Sequence, residues 1–334
     1  MTQSTSEILR PFIRKVASQV EQTIQADLST ALQGNDPLLA EVLSYALLNG
    51  GKRVRPMMAI LCSRLCGRND EALYLLATAF EYLHVATLIH DDVIDHADSR
   101  RGRDSVVKKF GVASAILAGD WLHARSMHLI GSLTGQEGLD IFCSATTAMV
   151  DGEFLQLRHV ADTRITEEQY FAVILRKTAR LIGSTCEIGA LFGNGTPEQI
   201  TALANYGKQI GIGFQIIDDL LDYLGDSQTT GKILGNDFVE GKITLPLIHA
   251  LDCAGKNAQK TLLDCLKGDR SRPESCAAAK KIMHDLGSFE YAKQRAESEI
   301  AKAVAGLSVF SKDQSNDQLI ILKALANYIL CRDR

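Results

Sequence analysis

Two five-residue segments of this 334-residue chain, Asp91-Asp92-Val93-Ile94-Asp95 and Asp218-Asp219-Leu220-Leu221-Asp222, repeat one Asp-Asp-apolar-apolar-Asp pattern inside strongly apolar runs. Carboxylates beside Leu88-Ile89 and Ile216-Ile217 belong near a core, where uncompensated charge costs several kcal/mol. On an α-helix, residues four apart lie one above the other, about 40° apart around the axis. Asp91 with Asp95, and Asp218 with Asp222, therefore form two carboxylate clamps. Oxygen-only donors favour Mg²⁺ or Mn²⁺ over zinc or copper, and Mg²⁺ usually keeps waters and shares its coordination with substrate phosphates. These four residues are the expected metal ligands.

The rest of the chain predicts a frame of helices for these clamps. Only six prolines interrupt it, with no Pro/Gly/Ser linker and no low-complexity tract, and apolar residues recur with helical period almost throughout. Helices are expected over 72–94, 112–133, 137–158, 166–192, 197–223, 242–253, 275–287, 289–305 and 316–331, with one more ending at Gly50. Strand alternation is nearly absent. The expected fold is all-α, a single large helical domain over 1–334. The helices 71–94 and 199–224, apolar around much of their circumference, should be central and flank a deep pocket with a charged mouth and an apolar interior.

A formal net charge of −4 argues against nucleic-acid binding. No apolar run of the ~18 to 20 residues needed to span a bilayer is apparent, and charges throughout the first thirty residues speak against a secretory signal, so a soluble cytoplasmic protein is expected. Eight cysteines without a Cys-x-x-Cys pair read as small buried hydrophobes. His90, His96, His123, His128, His159, His249 and His284 read as structural, and Trp121 and Phe80-Glu81-Tyr82 as core.

Basic residues cluster near the clamps. Arg100-Arg101-Gly102 follows the first; Gly231-Lys232, Gly235-Asn236-Asp237 and Gly241-Lys242 follow the second; Gly50-Gly51-Lys52-Arg53-Val54-Arg55-Pro56 lies at a helix break. Carboxylate-held metal beside Arg and Lys on Gly-rich joints suits a polyphosphate. The P-loop pattern is absent, so no nucleotide is implied.

Together with Glu81-x-x-His84, Gly119-Asp120, Lys177-Thr178-Ala179, Gly213-Phe214-Gln215 and Gly241-Lys-x-Thr-Leu-Pro246, these segments make a set that resembles the trans-isoprenyl diphosphate synthases, the head-to-tail prenyltransferases. The resemblance runs in unbroken order from about residue 40 to 250. It implies ionisation of an allylic diphosphate, attack on the carbocation by the alkene of isopentenyl diphosphate, and loss of a proton, which the family view gives to the released diphosphate. It implies three Mg²⁺ ions (Mn²⁺ substituting) on Asp91 and Asp95 and on Asp218 supported by Asp222, with Asp92 and Asp219 acting from behind these ligands. Carried over by position, Arg100, Lys177, Thr178, Gln215 and Lys232 should hold the allylic diphosphate, and Lys52, Arg55, His84 and Arg101 isopentenyl diphosphate. Family members are usually homodimers.

Product length is read from the residues below the first clamp. At ~1.5 Å per residue, Ala86 lies about 7 Å below Asp91. Neither Ala86 nor its neighbour Thr87 is an aromatic floor, and Met127 on the helix after Gly119-Asp120 is a deeper, flexible one. A product longer than geranylgeranyl is expected, most like the octaprenyl and neighbouring long-chain synthases that serve quinone side chains; a short-chain farnesyl or geranylgeranyl synthase is the alternative. A class I terpene cyclase is disfavoured because its second clamp is typically an Asn/Asp-Ser/Thr-Glu set. A di-iron bundle would need a second Glu-x-x-His, which is absent.

Overall fold

The computed structural model describes residues 3–48, 50, 53–100, 102–225, 235–313 and 317–331, and the described residues are almost entirely helical. The all-α expectation is borne out. The chain falls into two compact units: residues 1–143 with 185–204 and 309–324, and residues 144–184 with 205–308 and 325–334.

In the first unit, α1 (Gln3–Ala31), α2 (Pro37–Leu47) and α3 (Val54–Leu65) precede the long α4 (Ala72–Ile94). Tyr74, Leu76, Ala77, Phe80, Tyr82, Leu83 and Ile89 of α4 are all buried, and α1, α2 and α3 pack against it. Burial on most sides explains why its apolar residues do not confine themselves to one stripe. This helix also corrects the expectation that no segment could span a bilayer. By length and hydropathy Ala72–Ile94 qualifies, but 72% of that window is buried inside the protein, as befits a core helix. After α4 the chain turns through His96, whose φ is +51°, into a short hairpin of β1 (Ser99–Arg100) and β2 (Arg103–Asp104), paired Ser99 to Asp104 and Arg100 to Arg103. Next come α5 (Val106–Phe110) and α6 (Val112–Arg158); the backbone leaves helical geometry at Gly135, φ +68°, the break foreseen between 133 and 137.

The second unit contains α7 (Glu167–Ile174), opened by a Thr166–Gln169 capping box. A five-residue π-helix, Leu175–Ala179, leads without interruption into α8 (Arg180–Phe192), and α9 (Pro197–Leu224) follows. The chain continues through α10 (Asn236–Glu240), α11 (Leu245–Cys253), α12 (Lys256–Lys267), α13 (Pro273–Asp285), α14 (Ser288–Gly306), a 3-10 segment Leu307–Asp313 and α15 (Asp317–Leu330). Pattern reading missed α1, α3, α5, α10 and α12: α1 and α12 are polar on average, α3 hides behind the basic segment at its own start, and α5 and α10 are only five residues long.

Candidate active site

Both Asp motifs sit at the C-terminal ends of their helices, α4 and α9, and neither helix has a basic residue in its last turn. A helix C-terminus carries partial negative charge, so carboxylates there raise a negative potential that only a cation relieves. Asp91 is half-buried and Asp95, the capping residue, is exposed; the Asp95 N–H donates to the Asp91 carbonyl at 2.8 Å. Asp92 is buried on the other side of the turn, where Arg100 reaches back from β1 and places Nε at 2.7 Å and Nη2 at 2.6 Å from its Oδ1.

Around this end of α4 lies a cleft of about 280 Å³, with Asp92, Arg100, Arg103 and Asp104 at its polar side and Val85, Ile89 and Val106 on its apolar wall. Ala86 and Thr87 do not line it: Ala86 is buried and the Thr87 hydroxyl donates to the His84 carbonyl at 2.8 Å. Met127, half-buried, is also absent from that lining.

The basic segment at the start of α3 divides into two roles. Arg53, in the left-handed region at φ +47°, is buried, pairs with Glu81 of α4, and donates Nη2 to the Leu47 carbonyl at 2.7 Å. Arg55 donates Nη1 to His84 Nδ1 at 3.1 Å, so two residues expected to share a substrate are in contact. Burial lowers the Arg55 pKa from its usual value, against the opposing pull of Glu81 and Asp91, and its buried Nε–H has no hydrogen-bond partner among the described residues. Glu81 is thus the counter-ion that fixes the α3 entrance, a role the sequence did not disclose. Lys52, Arg101 and Lys232 lie outside the described residues.

In the second unit the π-helix sets the geometry. A π turn widens the helix locally and is frequent at functional sites. Here it carries Lys177 and Thr178, and two glycines let neighbouring helices approach it. A Cβ at Gly152 of α6 would lie 2.5 Å from the Lys177 nitrogen, and one at Gly211 of α9 would lie 2.5 Å from the Ala179 Cα. Lys177 Nζ lies 2.6 Å from Glu153 Oε1 and donates to Gln156 Oε1 at 3.3 Å.

From Thr178 a hydrogen-bond chain leads to the second Asp motif. The Thr178 hydroxyl donates to Gln215 Oε1 at 2.8 Å, Gln215 Nε2 donates to Asp219 Oδ1 at 2.9 Å, and the Tyr170 hydroxyl donates to Asp219 Oδ2 at 2.6 Å. Even so, burial, with the charges of Asp237 and Asp218 adding to it, pushes the Asp219 pKa well above the usual carboxylate range. Asp222 is anchored by the following segment: the Asp237 N–H donates to its Oδ2 at 3.1 Å, and the Gly235 N–H to its carbonyl at 2.8 Å. Asp237 belongs to the Gly235-Asn236-Asp237 segment already singled out after the second motif, whereas Tyr170 had no sequence signal of its own, coming from a helix outside the repeated motif.

The donor set fits an oxygen-preferring divalent cation. Asp218, Asp219, Asp222 and Asp237 supply only carboxylates, and Asp219 in that company is held toward its neutral form. Among the described residues no three His, Cys, Asp or Glu side chains converge into a ready cage. That arrangement suits an ion that completes its coordination with water and phosphate.

The chain matches the polyprenyl synthetase family model over residues 36–284. It is 36% identical to the octaprenyl diphosphate synthase of Escherichia coli over 322 residues, 96% of this chain and 98% of that one. A geranylgeranyl diphosphate synthase of Methanosarcina mazei is 33% identical over 294 residues, covering 86% and 88%. Among solved structures, a polyprenyl synthase of Caulobacter crescentus, complexed with calcium and isoprenyl diphosphate, superposes with a TM-score of 0.88 at 30% identity, covering 97% and 98%.

Proposed function

The chain belongs to the polyprenyl synthetase family, a family of prenyltransferases, and on that premise we propose that it extends an allylic diphosphate by successive head-to-tail addition of isopentenyl diphosphate to a long-chain trans-polyprenyl product of the kind that serves quinone side chains. The observation that carries this reading is the matched pair of helix C-termini: each ends in an Asp-Asp-apolar-apolar-Asp motif, and neither has a basic residue in its last turn. Asp91 and Asp95, and Asp218 with Asp222, are the proposed magnesium ligands. Magnesium bound there supplies electrostatic stabilisation of the charge that grows on the leaving diphosphate.

The remaining roles fall to the chain's own residues. Arg100, Lys177, Thr178, Gln215 and Lys232 hold and orient the allylic diphosphate. Arg100 and Lys177 now rest on carboxylates, Arg100 on Asp92 of the first motif and Lys177 on Glu153 of α6. Exchanging a carboxylate for a phosphate oxygen keeps such a guanidinium or ammonium paired throughout. Arg55 and His84, with Lys52 and Arg101, hold isopentenyl diphosphate; the unpartnered Arg55 Nε–H supports this, being a buried donor with an acceptor still to find. Apolar residues such as Val85 and Ile89 exclude water from a cation that water would quench.

The long-chain reading rests on the small Ala86 and on the higher identity to the octaprenyl synthase, 36% against 33% for the geranylgeranyl synthase. The protein is proposed to be one catalytic domain in the cytoplasm and to work as a homodimer. Val150, Phe154 and Leu157, an exposed apolar stripe on α6 with Phe154 at 66% exposure, supply a surface for that association. The test is consumption of isopentenyl diphosphate with farnesyl diphosphate as primer, with and without Mg²⁺.

A further inference from the structure

Far along the second unit from either Asp motif in sequence, α11 presents a cysteine and a histidine one turn apart. Cys253 Sγ lies 3.6 Å from His249 Nε2, and the other ring nitrogen, Nδ1, lies 3.0 Å from the hydroxyl of Ser288, a fully buried residue at the start of α14. The imidazole is also stacked on Tyr291, ring centres 4.3 Å apart and planes inclined by 23°. Tyr291 is itself fixed: its hydroxyl donates to Glu167 Oε2 at 2.5 Å, and Arg295 pairs with the same carboxylate at 3.0 Å. In the tautomer whose Nδ1–H donates to Ser288, Nε2 is the acceptor that faces the thiol. Nucleophile, base and orienting hydroxyl thus stand in the order that activated cysteines use.

We propose that Cys253 is a reactive thiol activated by His249, and that it is a site of thiol–disulfide exchange with low-molecular-mass disulfides. The thiol passes its proton to His249 Nε2, and the thiolate attacks one sulfur of the disulfide. The old S–S bond breaks as the new one forms, and the departing thiolate takes the proton back from the imidazolium. One thiol is consumed and one released, with no net change in oxidation state.

The surroundings act on the two partners in opposite directions. Cys253 ends α11, whose C-terminal dipole, together with neighbouring Asp252, disfavours a thiolate but favours the imidazolium that pairs with it. Glu167 and Arg295, the other charges near the ring, are paired with each other. Exposure separates Cys253 from most of the other thiols. Cys62 and Cys186 are buried, and burial pushes the Cys66 thiol up to about 11, whereas Cys253 and Cys331 are exposed. Cys331 serves as an internal reference.

The experiment uses the full chain. Limited alkylation with iodoacetamide at pH 7, read by peptide mass, should modify Cys253 about tenfold faster than Cys331, the gain expected when a neighbouring base takes the thiol proton. The His249→Gln variant should bring Cys253 down to the Cys331 rate and leave Cys331 unchanged. Oxidised glutathione should add one glutathionyl group at Cys253 and release one equivalent of glutathione. If His249→Gln disturbs the fold, seen as new alkylation of Cys62 or Cys186, the wild-type pH profile decides: the Cys253 rate should reach its plateau at a lower pH than that of Cys331. Equal rates at the two cysteines, a Cys253 rate indifferent to His249→Gln in a folded variant, or parallel pH profiles would overturn the proposal.

Discussion

Tyr170 donates its phenolic hydroxyl to Asp219 at 2.6 Å, joining α7 to the second Asp motif. On the other oxygen of that carboxylate, Gln215 completes a chain that begins at Thr178. Asp219 is therefore held by protein hydrogen bonds on both of its oxygens, while Asp218 and Asp222 are half-buried.

The protonation of Asp219 makes metal-free stability depend on pH. Burial first, then Asp237 and Asp218, raise its pKa above the unfolded value, so the folded state keeps a proton that the unfolded state gives up. Stability conferred by that proton is present below the usual Asp range and is lost as pH rises through the folded pKa. In EDTA, the urea midpoint should fall as pH rises above the usual Asp range. Asp219→Asn should flatten that fall, and saturating Mg²⁺ should reduce it; an identical slope in the variant would contradict the account.

Glu81→Ala should destabilise the protein by about 3–5 kcal/mol, because it strands the Arg53 guanidinium in a buried site. Arg53 and Glu81 are each only a few per cent exposed, and Arg53 is held in a left-handed conformation that its partner helps to fix. Glu81→Gln, which keeps a hydrogen-bond acceptor, should cost less. Urea denaturation of the two variants measures the difference.

Ala86→Phe should shorten the product while turnover persists. The site is buried, so added bulk also costs about 1–3 kcal/mol through overpacking. The readout is the chain length of dephosphorylated products resolved by thin-layer chromatography; an unchanged length distribution would remove Ala86 from the determinants of length.

Phe154→Asp should shift the protein toward the monomer. Phe154 lies 66% exposed between Val150 and Leu157 on one stripe of α6, and a charge in the middle of an apolar interface is poorly tolerated. Sedimentation velocity at micromolar concentration gives the answer, and an unaltered dimer would place the interface elsewhere.

What was legible in the sequence follows from which interactions are local. The Asp clamps, the helices of period 3.6 and the break at Gly135 are written in spacings of a few residues. So are the basic and Glu81-x-x-His84 segments, whose Arg55 and His84 the fold brings together although 29 positions separate them. The polar supports were not legible. Arg53–Glu81, Tyr170–Asp219 and Thr178–Gln215 join residues on different elements, and nothing in the spacing of either partner announces the other. The π turn was also silent, since Leu175–Ala179 lies inside one continuous helical run of the sequence, and the close approaches at Gly152 and Gly211 appear only in the fold.

The central claim is most directly tested by the length of what the enzyme makes. Purified protein is incubated with farnesyl diphosphate, labelled isopentenyl diphosphate and Mg²⁺, and the products are dephosphorylated and separated by chain length. The account predicts a magnesium-dependent product longer than geranylgeranyl, lost when Asp91 or Asp218 is replaced by Asn. A pool that stops at farnesyl or geranylgeranyl, or elongation that survives without divalent metal, would contradict it.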